Sequence, residues 1–140
     1  MSRRLSREEA FKVLFEISFQ GKENIDSVLD YYYENLSVPQ LEKSYFEVVT
    51  RGVCEKKGEL DDYISRFSKG WTKQRISRVG TSLLRLSMYE ILYMNDIPNG
   101  VSANEAVELA KKYESPECGA FINGILGTLI RSLGEKKENS

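Results

Sequence analysis

The chain contains no histidine. That removes the commonest general base at neutral pH and the commonest zinc ligand. Cysteine is nearly absent: Cys54 and Cys118 lie far apart, match no metal or redox spacing, and read as small reduced residues. No glycine loop of the kind that cradles phosphate occurs. The adjacent pairs Glu8/Glu9 and Asp61/Asp62 diverge around a helix surface instead of converging. Glu105 and Glu108 share a face, but capping and solvent exposure account for them. These absences predict a protein that is not an enzyme and needs no cofactor or metal. No apolar run reaches the roughly 20 residues that span a bilayer, and the amino terminus lacks the apolar stretch of a secretory signal. The sequence predicts a cytoplasmic protein with no membrane partner.

Charge is balanced overall, with 20 basic against 21 acidic residues, but it is unevenly placed. Between Ile64 and Tyr89 there is no Asp or Glu, while Arg66, Lys69, Lys73, Arg75, Arg78 and Arg85 fall in that stretch. Arg3, Arg4 and Arg7 open the chain without an acid among the first seven residues. Acid concentrates between Glu23 and Glu47. Such asymmetry can build a basic face on a neutral protein; solvated helix faces whose charges happen to cluster are the plainer account of the middle run.

One hundred and forty residues is the size of one domain. Every apolar pattern has helical spacing, and none alternates for long enough to make a strand. Ser6 and Glu9 have capping-box spacing, which predicts a first helix from about Arg7 to Gln20, ended by Gly21. Ala10, Val13, Leu14 and Ile17 form its inner stripe, with Phe11 beside it. Ile25, Val28, Leu29 and Tyr32 define a second helix. Ser37, Pro39 and Gln40 predict the start of a third, with Leu41, Tyr45, Val48, Val49 and Val53 inward and Gly52 admitting a close neighbour. Gly58 marks a break before a fourth helix on Leu60, Ile64 and Phe67, which Gly70 closes, and Trp71 plugs the following seam.

The fifth helix is expected from about Arg75 to Met94. From Leu83 onward apolar residues occupy nearly every direction, the mark of a central helix wrapped by others. Pro98 stops it. Ser102 and Glu105 repeat the capping box and start a sixth helix with Ala103, Ala106, Val107, Ala110 and Tyr113 inward. Ser115-Pro116 reads as a cap followed by a first-turn proline. The last helix pairs Phe121/Ile122, Ile125/Leu126 and Leu129/Ile130 at four-residue steps, and 135–140 reads as a loose tail. The expected fold is all-α, about seven helices in a compact bundle.

Four segments in order carry a family likeness: Arg85-Leu86 with Tyr89-Glu90, Asp96-Ile97-Pro98, Asn104 to Lys111 (NEAVELAK), and Phe121 to Leu126 (FINGIL). With the Arg-rich start in front, the chain resembles the NusB family of transcription antitermination factors over nearly its whole length. The resemblance implies one domain over 1–140, built from two crosswise-packed helical subdomains, about 1–69 and 70–134. It implies a factor that binds boxA-type single-stranded RNA together with ribosomal protein NusE, joins the RNA polymerase antitermination complex, and acts on ribosomal RNA operons. Some members also self-associate as homodimers.

By the same resemblance the RNA-facing residues are Arg3, Arg4, Arg7, Lys12, Phe15, Phe121 and Asn123, and the protein-interface residues are Tyr89, Glu90, Asn104, Glu105 and Glu108. Single-stranded RNA needs aromatics for base stacking and cations for phosphate, which these residue types supply. The chemistry of the start supports an external anion: a cationic first turn opposes the helix dipole by roughly 0.3–1 kcal/mol, while its free N–H groups favour phosphate. The plain readings are a solvated terminus for the arginines, core packing for Phe121 and Tyr89, and a surface or backbone-bonded amide for Asn123. Where the family usually has acids, this chain has Gly80 and Gly127. Two alternatives stand beside the leading one: a protein-interaction module with no RNA role of its own, and a helical domain of the kind fused to ribosomal RNA cytosine methyltransferases. No cofactor-binding segment follows in this sequence to favour the last.

Overall fold

A computed structural model describes residues 2–19, 24–68 and 76–134. Seven α-helices run through them: α1 (Arg3–Ile17), α2 (Ile25–Asn35), α3 (Lys43–Glu55), α4 (Lys57–Phe67), α5 (Arg78–Tyr93), α6 (Asn99–Tyr113) and α7 (Pro116–Leu133). No strand forms among the described residues; a single parallel bridge joins Ser2 to Leu41. The all-α expectation and its helix number hold. Gly21, Gly70, Trp71, Arg75, the subdomain boundary and the 135–140 tail lie outside the described residues.

Helix α5 is the hub. It packs on α1, α3, α4, α6 and α7, and Leu83, Leu84, Leu86, Met88 and Ile91 on it are fully buried. An apolar residue in almost every direction is what such a position requires. On α3, Gly52 lets α5 come close: a Cβ there would overlap the ring of Tyr89. Replacing Gly52 by Ala should cost a net ~1–3 kcal/mol in urea unfolding through overpacking. The loss should be smaller in a Tyr89→Ala background, where the overlapping ring is gone. Equal losses in the two backgrounds would contradict this packing.

The three Ser-x-x-Glu/Gln patterns do not cap their helices. Helix α1 starts at Arg3, four residues early, because Ser2 accepts from the Leu5 N–H at 3.0 Å. Ser6, inside the helix, donates to the Ser2 carbonyl and accepts from the Glu42 N–H at 2.7 Å, so it serves the entry to α3. Helix α3 begins at Lys43, after a turn at Pro39-Gln40, and not at Pro39. Helix α6 begins at Asn99, and Ser102 lies buried within it. True side-chain caps among the described residues are Ser2, Asn24, Ser77 and Ser115; the last is the one its Ser-Pro pattern predicts, with Ser115 accepting from the Cys118 N–H at 3.1 Å.

Two inner stripes also differ. On α3, Phe46 is buried and Val48 faces solvent. On α6, Ser102, Glu105, Ala106, Leu109 and Ala110 turn inward, while Ala103 and Val107 are half-buried and Tyr113 is exposed. The rotation of α6 follows from its polar residues, which have carboxylate and guanidinium partners waiting inside. Those partners define the site.

Candidate nucleic-acid interface

The first turns of α1 carry the three arginines, and each grips a carboxylate from a distant part of the chain. Arg3 donates through Nε and Nη2 to the two carboxylate oxygens of Glu42, at 2.9 and 2.7 Å, and lies 4.4 Å from the Tyr45 ring centre. Arg4 forks onto Glu105 at 3.1 and 2.8 Å. Arg7 forks onto Glu90 at 2.8 and 3.2 Å and lies 3.6 Å from Glu105. Paired, planar contacts of this kind are the strong form of the charged hydrogen bond. The unfavourable charge at the head of α1 therefore meets an internal anion, so it no longer argues for an external one.

Glu90 is the centre of this network. Besides Arg7 it accepts from the hydroxyls of Tyr45 and of Ser102, the latter at 2.7 Å, so one side chain ties α1, α3, α5 and α6 together. Burial works against the charge on Arg7, but the Glu90 hydrogen bond and charge outweigh it and hold the guanidinium protonated. Burial, then the Glu90 charge, pushes the Tyr45 hydroxyl far up. The Arg3 hydrogen bond holds Glu42 below the usual carboxylate range.

Several expected site residues lie inside the bundle. Arg7 is only 4% exposed and Glu90 is fully buried, so neither side chain is presented to a partner. Their bidentate bond across α1 and α5 makes them positioning residues of the scaffold. Phe121 is a core residue at 7% exposure, and Glu105 is largely covered by the arginines. Tyr89 lies half-buried over Gly52 and beside Tyr93, 5.1 Å between ring centres. Arg4, Lys12, Asn104, Glu108 and Asn123 are exposed, while Arg3 and Phe15 are half-exposed. Lys12 bonds Glu9 at 3.0 Å.

Around Phe15, a row of rings leads from the core to the carboxyl end of α1. Phe11, Phe15 and Phe19 stand one turn apart, with ring centres 6.0 and 5.0 Å from one to the next. Tyr113, from the end of α6, meets Phe11 at 5.1 Å. Its hydroxyl and Lys112 both donate to Glu8. From the start of α5, Arg78 donates to the Ser18 carbonyl at 2.8 Å and lies 4.4 Å over the Phe19 ring. The α5 start also borders the α7 start, because a Cβ on Gly80 would lie 3.5 Å from the Cys118 sulfur. One corner of the bundle thus gathers the end of α1, the start of α5 and the α6–α7 junction. The i, i+4 aromatic spacing in α1 is readable in the sequence; the arrival of Arg78 and Tyr113 from 60 and 105 residues away is not.

Both thiols are free, and burial pushes each upward, so neither is an activated nucleophile. Among the described residues no group of three His, Cys, Asp or Glu side chains is placed to hold a metal ion, and no helix is long and apolar enough to cross a membrane.

A profile of the NusB family matches residues 4–131. The transcription antitermination protein NusB of Clostridium acetobutylicum is 44% identical over 136 residues, which cover 97% of this chain and all of that protein. The NusB of Desulfitobacterium hafniense strain DCB-2 is 40% identical, over 99% of this chain and 94% of its own. Among solved structures, T. maritima NusB superposes with a TM-score of 0.79 at 35% identity, covering 94% of this chain and 92% of that one. A chain from a crystal structure of the antitermination factors NusB and NusE in complex with dsRNA superposes with a TM-score of 0.78 at 22% identity, over 93% of this chain and 96% of its own. That last likeness speaks to the fold alone.

Proposed function

The chain belongs to the NusB family, and from that membership we propose that it is a non-enzymatic cytoplasmic antitermination factor. In this reading it binds boxA-type single-stranded RNA together with ribosomal protein NusE and supports processive transcription of ribosomal RNA operons within the RNA polymerase antitermination complex. The observation that carries the proposal is the end-to-end match to proteins of that name at about 40% identity. The corner around α1 supports it with the chemistry RNA needs, namely exposed rings beside cations.

Within this proposal Arg4, Lys12, Phe15 and Asn123 contact RNA, with Arg3 beside them, and Arg7 acts from inside by fixing α1 on α5. Phe121 sets the start of α7 from the core. The NusE surface is placed on α6, where Asn104 and Glu108 share an exposed face with Val101, which is 45% exposed. The two-subdomain division at about residue 70 is kept as part of the same reading.

One observation favours the protein-interaction reading: all three amino-terminal arginines are already paired with carboxylates. Fluorescence anisotropy of a labelled boxA-type RNA, with and without NusE and over a series of salt concentrations, separates the two. The RNA reading expects binding that NusE tightens and that salt weakens through counterion release. A stable NusE complex, or a homodimer, that leaves the RNA free at low salt would replace it with the module reading.

A further inference from the structure

We propose that Phe19 and Arg78 form a base-stacking subsite for single-stranded RNA, at the carboxyl end of α1. The inference rests on the RNA-binding reading above and extends it to residues outside the four segments that carry the family likeness. Phe19 is 56% exposed, a large ring held in solvent at a helix end. It is not an isolated surface residue. Its ring packs edge-on against Phe15 at 5.0 Å, and Phe15 packs on the buried Phe11, so the exposed ring is anchored to the core through two others. An anchored aromatic loses little conformational freedom when a base stacks on it.

Arg78 supplies the second half. Its guanidinium lies 4.4 Å over the Phe19 ring and is oriented by the 2.8 Å bond to the Ser18 carbonyl. It is exposed and has no carboxylate partner among the described residues, in contrast to Arg3, Arg4 and Arg7. A fixed guanidinium plane, with no carboxylate partner among the described residues, beside an exposed ring offers a base a stacking surface and a neighbouring phosphate a cation. It also belongs to the acid-free, cation-rich stretch between Ile64 and Tyr89, in which Arg85 is paired with Asp61 at 2.8 and 3.1 Å. Arg66 in the same stretch lies over Tyr63 and Phe67, but those rings are half-buried on α4. RNA is favoured over a protein partner here because the exposed charge is positive and planar and sits beside the residues already proposed for RNA.

The test uses the full chain with NusE and a boxA-type RNA carrying 2-aminopurine at successive positions. In the unsubstituted protein one position should be quenched by stacking, and Phe19→Ala should abolish that quenching and weaken binding by about tenfold. Arg78→Ala should weaken it comparably. Arg78→Lys should keep the salt dependence but lose the quenching, because the charge remains and the plane does not. Arg66→Ala serves as the charge control and should change little. Circular dichroism of Phe19→Leu checks that the helix survives loss of the ring. Unchanged affinity and quenching in Phe19→Ala and Arg78→Ala, with RNA still bound, would overturn the subsite and leave the proposed function standing. The subsite also falls if Arg66→Ala weakens binding as much as Arg78→Ala, or if Phe19→Ala loses NusE and not RNA. No RNA binding by the unsubstituted protein would overturn both readings.

Discussion

Replacing Glu90 by Ala should lower the stability of this protein by about 3–5 kcal/mol, the cost of leaving one member of a buried ion pair alone. The side chain is fully buried, and its removal strands three donors together: the Arg7 guanidinium and the hydroxyls of Tyr45 and Ser102. Glu105, 3.6 Å from Arg7, remains to offset part of the charge, yet it already serves Arg4. For a chain of this length the loss corresponds to a fall in Tm of roughly 10–15 °C. Arg7→Ala should act similarly, leaving Glu90 the unpaired member. The double variant Arg7→Met/Glu90→Leu should recover a large part of either loss, because an apolar pair needs no desolvation of charge. Thermal unfolding followed by circular dichroism reads all four proteins. A fall of under about 3 °C for Glu90→Ala would mean that the network does not hold the four helices. One consequence concerns function: any loss of RNA binding in an Arg7 variant has to be scored against the folded fraction before Arg7 is counted as a contact.

The second expectation concerns the two arginines that remain within reach of solvent. For Arg3 or Arg4 to hold a phosphate, each must exchange its carboxylate partner for it. Removing the competing charge should therefore help RNA: Glu42→Gln should tighten binding by up to about fivefold at low salt, the scale of an exposed ion pair. Glu105→Gln should act in the same direction on Arg4, with some loss of stability through Arg7. The double variant Arg3→Ala/Arg4→Ala should weaken binding by about tenfold or more. It should also reduce the slope of log K against log salt by about 1.4, or 0.7 for each phosphate contact to a single strand. Anisotropy titrations at four salt concentrations measure both quantities. If the arginines are permanent struts, the Ala variants will lower Tm and leave affinity and slope untouched.

Much of the scaffold could be read from the residues. Helix α5 is legible as central because apolar residues occupy nearly every direction from Leu83 onward, and Gly52 does admit a close neighbour. The Ser115-Pro116 start of α7 was readable because a proline in the first turn restricts the alternatives. The capping boxes misled for a physical reason. A serine three residues before a glutamate is also what results when both face inward from the middle of a helix, and only the partner decides. Ser6 found the Glu42 N–H, Ser102 found Glu90, and Glu105 found Arg4, across 36, 12 and 101 residues. Those long-range partners also turned Arg7 inward and rotated the buried stripe of α6, which local apolar periodicity cannot register. Of the candidate site, Lys12 and Asn123 reach the surface and Phe15 lies half-exposed, as residues in reach of a partner must. The approach of Arg78 and Tyr113 to α1 from other helices left no local pattern in the sequence.

The central claim is that the outer side of α1, where the start of α5 and the end of α6 meet it, receives the RNA strand. Backbone amide chemical-shift mapping of the full chain, titrated with a boxA-type RNA in the presence of NusE, tests it most directly. The account predicts that RNA-dependent shifts gather on Arg4, Lys12, Phe15, Phe19, Arg78, Tyr113 and Asn123. Shifts confined instead to the exposed side of α2 and α3, around Tyr31, Leu36 and Val48, would contradict it.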